Sequence, residues 1–182
     1  MIDDEAKLVE ACRGGDPTSL AQFVAHFERP VYAVCYRMLG HLQDAEDITQ
    51  EVFLRAFRSL GRWDADRPLK PWLFTIAVNC CKTALVNRRK WGTSTDLSQE
   101  WLAPVESAGR TDLAEELQRG LDSLRDEYRT CFILFHEQDL SCAEIGKLLG
   151  CPEGTVKTWL FRARRELAEQ LRKRGIFPDT KP

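Results

Sequence analysis

Residues 141–167, SCAEIGKLLGCPEGTVKTWLFRARREL, constrain this chain more than any other stretch, because two helical patterns meet there at a tight break. Ser141 and Glu144 have the S-x-x-E spacing of a capping box, in which each side chain satisfies a free N–H of the first helical turn. Ala143, Ile145, Leu148 and Leu149 then recur near helical spacing. Gly150 stands where a helix ends in the left-handed region, and Pro152 suits the first turn of the next helix, where its missing N–H costs nothing. Val156, Leu160, Ala163 and Leu167 line one face of that second helix, and its other faces carry Lys157, Thr158, Arg162, Arg164 and Arg165. One reading is an amphipathic hairpin whose charged stripe is simply solvated. The other is a helix-turn-helix, whose second helix enters the major groove of DNA; the capping box, the Gly-x-Pro break and the clustered basic residues favour it.

Charge is segregated along the chain. The net charge is only −2, yet residues 152–174 hold seven basic residues against three acidic ones, and residues 92–118 hold six acidic against one basic. The basic segment suits phosphates; the acidic one suits a basic channel or water. So low a net charge implies weak DNA binding by the isolated protein. No run of 18 apolar residues exists, so no membrane-embedded segment is expected, and the acidic N-terminus has no signal-peptide pattern. Seven cysteines (12, 35, 80, 81, 131, 142 and 151) form no C-x-x-C pair and several fall at apolar helical positions. Buried reduced thiols in a cytoplasmic protein are expected, with redox sensing by Cys142 and Cys151 as the alternative. His26, His41 and His136 lack metal-ligand spacing, so neither a metal nor any cofactor is expected.

Taken in order, residues 3–13 predict a short amphipathic helix ended by Gly14-Gly15. Asp16 and Pro17 suit the N-cap and first turn of a second helix, with Phe23, Val24 and Phe27 inward. Pro30 is expected to open a third, which Gly40 closes. Asp44 is expected to cap the next, DAEDITQEVFLRAFRSL, whose outer positions are Asp44, Asp47, Gln50, Glu51, Arg55 and Arg58. A polar loop over 61–68 leads to a long helix over 69–90, where Asn79, Lys82, Thr83 and Asn87 share a face and Arg88, Arg89 and Lys90 close the end. Aromatics beside a cationic polar stripe suit stacking and backbone tracking on single-stranded nucleic acid; burial in a core is the competing reading for those rings. Residues 92–111, rich in Gly, Ser, Thr and Pro, predict a flexible linker. Helices are expected over 112–124 and 126–137. No strand pattern of useful length appears. The predicted fold is all-α: two helical domains, 1–91 and 112–175, joined by 92–111 and followed by a tail over 176–182.

Two helical modules in this order, with DAEDITQEVFLRAF, RWDADRPLKPWLFTIAVNCCKTALVNRRK and the helix-turn-helix, resemble the bacterial RNA polymerase sigma factors of the extracytoplasmic-function (ECF) type over nearly the whole chain. The resemblance implies region 2 in the first domain and region 4 in the second. It places Asp44, Asp47, Gln50, Glu51 and Arg55 against the β′ clamp helices of core polymerase, with the β subunit as a further contact. It places Trp63, Asp64, Asn79, Lys82, Thr83, Arg88 and Arg89 on the promoter −10 element, which is melted and read there, with the loop 64–68 helping to hold a flipped-out base. It places Thr155, Lys157, Thr158, Phe161, Arg162 and Arg165 on the −35 element. Trp63 stands where the family commonly has Phe, and Trp159 where a small or basic residue is common. The resemblance also implies an anti-sigma partner and a linker threading toward the polymerase cleft.

The implied function is a specificity subunit that does no chemistry itself: it binds core polymerase and directs promoter-specific initiation. The alternative is a polymerase-independent helix-turn-helix regulator with an N-terminal sensory domain. No nucleophile elbow, metal box or phosphate loop supports an enzyme.

Overall fold

The structure, a computed structural model, describes residues 2–91 and 108–176. Among the described residues there are eight α-helices, one 3-10 turn and no strand. The first four helices are α1 (Ile2–Arg13), α2 (Pro17–Leu39), α3 (Leu42–Ser59) and α4 (Leu69–Trp91), with the 3-10 turn Leu60–Arg62 after α3. The last four are α5 (Ala108–Asp122), α6 (Asp126–His136), α7 (Cys142–Leu149) and α8 (Glu153–Lys173).

Three sequence expectations need correction. Pro30 opens no helix: α2 runs through it unbroken. A proline inside a helix removes one hydrogen bond and costs about 3 kcal/mol. The apolar stripe Phe23, Phe27, Val31 and Val34 continues across Pro30 in register, and its burial holds the helix together. Asp44 is not the N-cap of α3. His41 is, with its ring Nδ1 accepting from the Asp44 N–H at 3.5 Å, so Asp44 lies in the first turn. The predicted linker ends early: residues 108–111 already belong to α5, while 92–107 and the tail from 177 lie outside the described residues.

The first four helices close around Phe23, whose ring meets Phe27 at 4.9 Å and Phe57 at 5.5 Å between centroids. Arg13 ties α1 to the loop after α3, donating to the Leu60 carbonyl from Nε and Nη2 and to the Trp63 carbonyl at 2.9 Å. In the last four helices, α7 and α8 form the expected helix-turn-helix. The capping box is complete, with the Ser141 N–H donating to Glu144 at 2.8 Å and the Glu144 N–H to Ser141 Oγ at 3.2 Å. Gly150 takes φ +69 at the end of α7, as the left-handed corner requires. Val156, Leu160, Ala163 and Leu167 are all buried.

The two sets of helices are not separate bodies. One apolar core runs from Phe23, Leu73 and Phe74 through Leu134 and Leu140 to Ile145, Val156 and Leu160. A polar seam accompanies it. Arg37 Nε pairs with Glu137 at 3.0 Å and its Nη1 donates to Gln118 at 3.0 Å. Lys70 Nζ donates to the Gln138 carbonyl at 2.6 Å. The buried Arg129 donates to the carbonyls of Met38 at 2.8 Å and Asp122 at 2.9 Å. Five of the cysteines are buried within this fold, and Cys142 and Cys151 are half-buried. Burial pushes the Cys131 thiol up to about 12, and the bond shared with Cys35, with burial, pushes Cys81 up as well, so both stay protonated.

Candidate nucleic-acid interface

The polar stripe of α4 exists because its opposite side is anchored. Leu73, Phe74, Ala77, Val78, Cys81 and Leu85 are buried, which leaves Asn79, Lys82, Thr83, Val86 and Asn87 exposed. Thr83 Oγ1 donates to the Asn79 carbonyl at 2.9 Å, while the Asn79 side chain points outward. The helix ends in Arg88 and Arg89, both exposed yet both engaged. Arg88 Nη1 donates to the Leu39 carbonyl at 3.2 Å and lies 3.5 Å from Asp44. Arg89 pairs with Asp126 at 2.8 Å.

Trp63 departs from its expected place. It is 5% exposed in the core, with an indole N–H that has no partner among the described residues, so its ring is not presented to a base here. The physical reason is that the 3-10 turn and the Arg13 clamp fold the loop start back onto α1. Asp64 is exposed and organises the loop: its Oδ1 accepts from the Asp66 N–H at 3.1 Å, and its carbonyl from the Arg67 N–H.

On α3 the expected polymerase-facing residues divide. Asp47 and Gln50 are exposed, and among the described residues neither side chain is in an ion pair or hydrogen bond. Glu51 and Arg55 pair with each other at 2.6 Å. Asp44 is half-buried beside Arg88, so the structure joins a residue expected at polymerase to one expected at DNA. Leu54, 51% exposed on this face, escaped the sequence reading. Its signal was its offset from the buried stripe Val52, Phe53 and Ala56.

On α8, Lys157, Thr158, Phe161, Arg162 and Arg165 are exposed and Thr155 is half-buried. Phe161, at 65%, is the most exposed large apolar side chain among the described residues. Lys157 pairs with Glu153 at 2.6 Å, and Thr158 Oγ1 donates to the Gly154 carbonyl. Arg162 Nη1 donates to the Tyr128 hydroxyl at 3.0 Å. A groove of about 540 Å3 runs from Thr158 and Phe161 across to the start of α6. Among the described residues no cluster of His, Cys, Asp and Glu forms that could hold a metal, and no helix is long and apolar enough to cross a membrane.

These two surfaces coincide with two matched families of known sequence: Sigma-70 region 2 over residues 23–91 and Sigma-70 region 4 over residues 114–167. The chain is 32% identical over 179 residues to the ECF RNA polymerase sigma factor SigW of Bacillus subtilis, covering 91% of this chain and 96% of that protein. It is 31% identical over 173 residues to the ECF RNA polymerase sigma-E factor of Escherichia coli, covering 88% and 90%. Among solved structures it is similar to CnrH in complex with the cytosolic domain of CnrY, with a TM-score of 0.69, 25% identity, and 91% and 96% of the two chains covered. The fold is also that of the sigma factor RpoE bound to the anti-sigma factor NepR from Bartonella quintana, with a TM-score of 0.72, 24% identity, and 84% and 96% covered. The chain therefore belongs to the ECF RNA polymerase sigma factors.

Proposed function

We propose that this sigma factor engages core RNA polymerase through the outer face of α3, with Asp47, Gln50 and Leu54 at its centre, and reads promoters with two separate helices. The α4 stripe of Asn79, Lys82 and Thr83 meets the −10 strand, with the loop around Asp64 beside it and Arg88 and Arg89 on phosphates. The α8 face of Thr158, Phe161, Arg162 and Arg165 meets the −35 element, with Thr155 and Lys157 at its margin. The functional modules are the first four helices and the last four, the second beginning with α5 at Ala108. The observation that carries this reading is that the exposed polar faces of α4 and α8 lie opposite buried apolar ones, on segments that match regions 2 and 4. Stacking of an unpaired base returns about 1–3 kcal/mol, which is the scale needed to offset unpairing.

The protein performs no chemistry; polymerase does. It acts where polymerase acts, in the cytoplasm. CnrH and the Bartonella quintana sigma factor are both seen with partners, the second with an anti-sigma factor, and an anti-sigma factor is the expected partner here too. A polymerase-independent regulator is not favoured, because the N-terminal helices match region 2 rather than a sensory domain. Run-off transcription with core enzyme on a genomic library tests the reading. Start sites sharing two upstream motifs are expected; start sites identical to those of core enzyme alone would sink it.

A further inference from the structure

Of the six α8 residues assigned to the −35 element, Arg162 alone is held by another helix among the described residues. Its partner Tyr128 is 4% exposed, packed with Leu121, Leu124 and Ala163, so the hydroxyl that accepts from Nη1 is fixed in place. The ring of Tyr128 also lies under Arg125, whose guanidinium carbon is 5.9 Å from the centroid. Arg125 precedes α6 and is outside the helix-turn-helix, yet it lines the same groove as Arg162 and Arg165. Three guanidiniums face that groove with one carboxylate, Glu166. Among the described residues, none of the three lies within ion-pair distance of an acid. Arg119, Arg129, Lys157 and Lys173 on the same four helices, and Arg174 just past α8, are paired, whereas Lys147 and Arg172 have no ion pair among the described residues; what sets the three apart is that they share one groove.

Three guanidiniums beside a single carboxylate leave the groove net positive, which attracts an anion. A phosphodiester matches the guanidinium fork. The groove opens onto Thr158 and Phe161, so a DNA strand at the lip of the major groove would pass directly over it. The Tyr128 bond engages one edge of Arg162 and leaves its other N–H groups for a base edge.

We propose that Arg125 and Arg165 together bind a backbone phosphate beside the −35 element, and that Tyr128 is the positioning residue that aims Arg162 at a base pair. The inference rests on the assignment of α8 to that element. It extends the DNA contact to a residue that the helix-turn-helix does not contain.

The test uses holoenzyme reconstituted from the full chain and core polymerase. The probe is the upstream duplex sequence that wild-type holoenzyme enriches from a randomised pool. Arg125→Ala should weaken binding by a similar, several-fold factor on every upstream sequence and lower the slope of log affinity against log salt by about one. Arg125→Lys should restore the slope. Tyr128→Phe, which keeps the buried ring, should leave the slope unchanged but flatten preference at the one position that Arg162→Ala flattens. A wild-type slope in Arg125→Ala, or intact preference in Tyr128→Phe, overturns the proposal while Arg162→Ala still alters selectivity. If Arg162→Ala changes nothing, or wild-type holoenzyme enriches no motif, the assignment of α8 fails with it.

Discussion

Arg89 Nη2 donates to Asp126 Oδ2 at 2.8 Å, joining the C-terminal end of α4 to the first turn of α6. That contact takes one of the guanidinium's five N–H donors and neutralises its charge, so Arg89 would hold a phosphate more weakly while paired. In this arrangement an acid of the second helical set occupies part of the surface proposed for DNA.

Asp126→Ala frees Arg89. Asp126 is half-buried, lies 3.8 Å from the buried Arg129 and sits in the first turn of α6, so its removal should also cost about 1–3 kcal/mol of stability. Binding of the isolated chain to single-stranded DNA at low salt should strengthen. Glu127→Ala makes the same change in net charge on a neighbouring exposed residue and should have a smaller effect. Equal effects of the two, measured by fluorescence anisotropy, would show that Arg89 is not the group released.

Asn79 is exposed at the centre of the α4 stripe, and among the described residues its side chain makes no hydrogen bond. Asn79→Ala should therefore keep stability and co-purification with core polymerase while impairing promoter opening. Permanganate reactivity of thymines near −10 reads this directly; wild-type reactivity would remove Asn79 from the strand contact.

Gly146 sits under the corner of the helix-turn-helix. A Cβ there would come 2.8 Å from the Cys151 carbonyl oxygen and 3.5 Å from the Glu153 nitrogen, both backbone atoms that cannot swing aside. Gly146→Ala should cost on the order of 1–3 kcal/mol and lower the melting temperature. Gly154, in α8 with open space around it, gives the opposite sign: Gly154→Ala should stabilise by about 0.4–1 kcal/mol. Thermal melts of the two variants side by side test the contrast.

His136 accepts from Arg164 Nε at 3.1 Å, and burial followed by the Arg164 charge pushes its imidazole below the ordinary value. A depressed histidine binds fewer protons folded than unfolded. Its contribution is thus present above the ordinary imidazole value, near about 6.5, and lost as pH falls through the depressed one. Denaturant midpoints should rise with pH across that window, and His136→Gln should flatten the rise. An unchanged pH dependence in the variant would show that the proton is taken up elsewhere.

Much of the fold was legible where local chemistry decides it. The Ser141–Glu144 box, Gly150 and the Val156–Leu167 stripe specify their own corner within a few residues, and the structure follows them. Pro30 misled because a local rule met a longer one: an apolar stripe on both sides outweighs one lost hydrogen bond. Asp44 misled because two residues could cap one helix, and the choice fell to His41. At the site, Asn79 and the α8 face could be picked out by their offset from buried neighbours. Trp63 could not, since its burial depends on Arg13, fifty positions away. The seam between modules was invisible for the same reason: nothing near Lys70 announces the Gln138 carbonyl.

The single interior shared by Phe74, Leu134 and Ile145 gives separation of the two modules the thermodynamic character of a small melting event. Wetting that apolar seam carries a positive heat-capacity change, and the apolar share of the closing force fades on chilling. Cold therefore loosens the apolar part of the clasp and moderate warmth tightens it, so closure is firmest at an intermediate temperature and eases on either side.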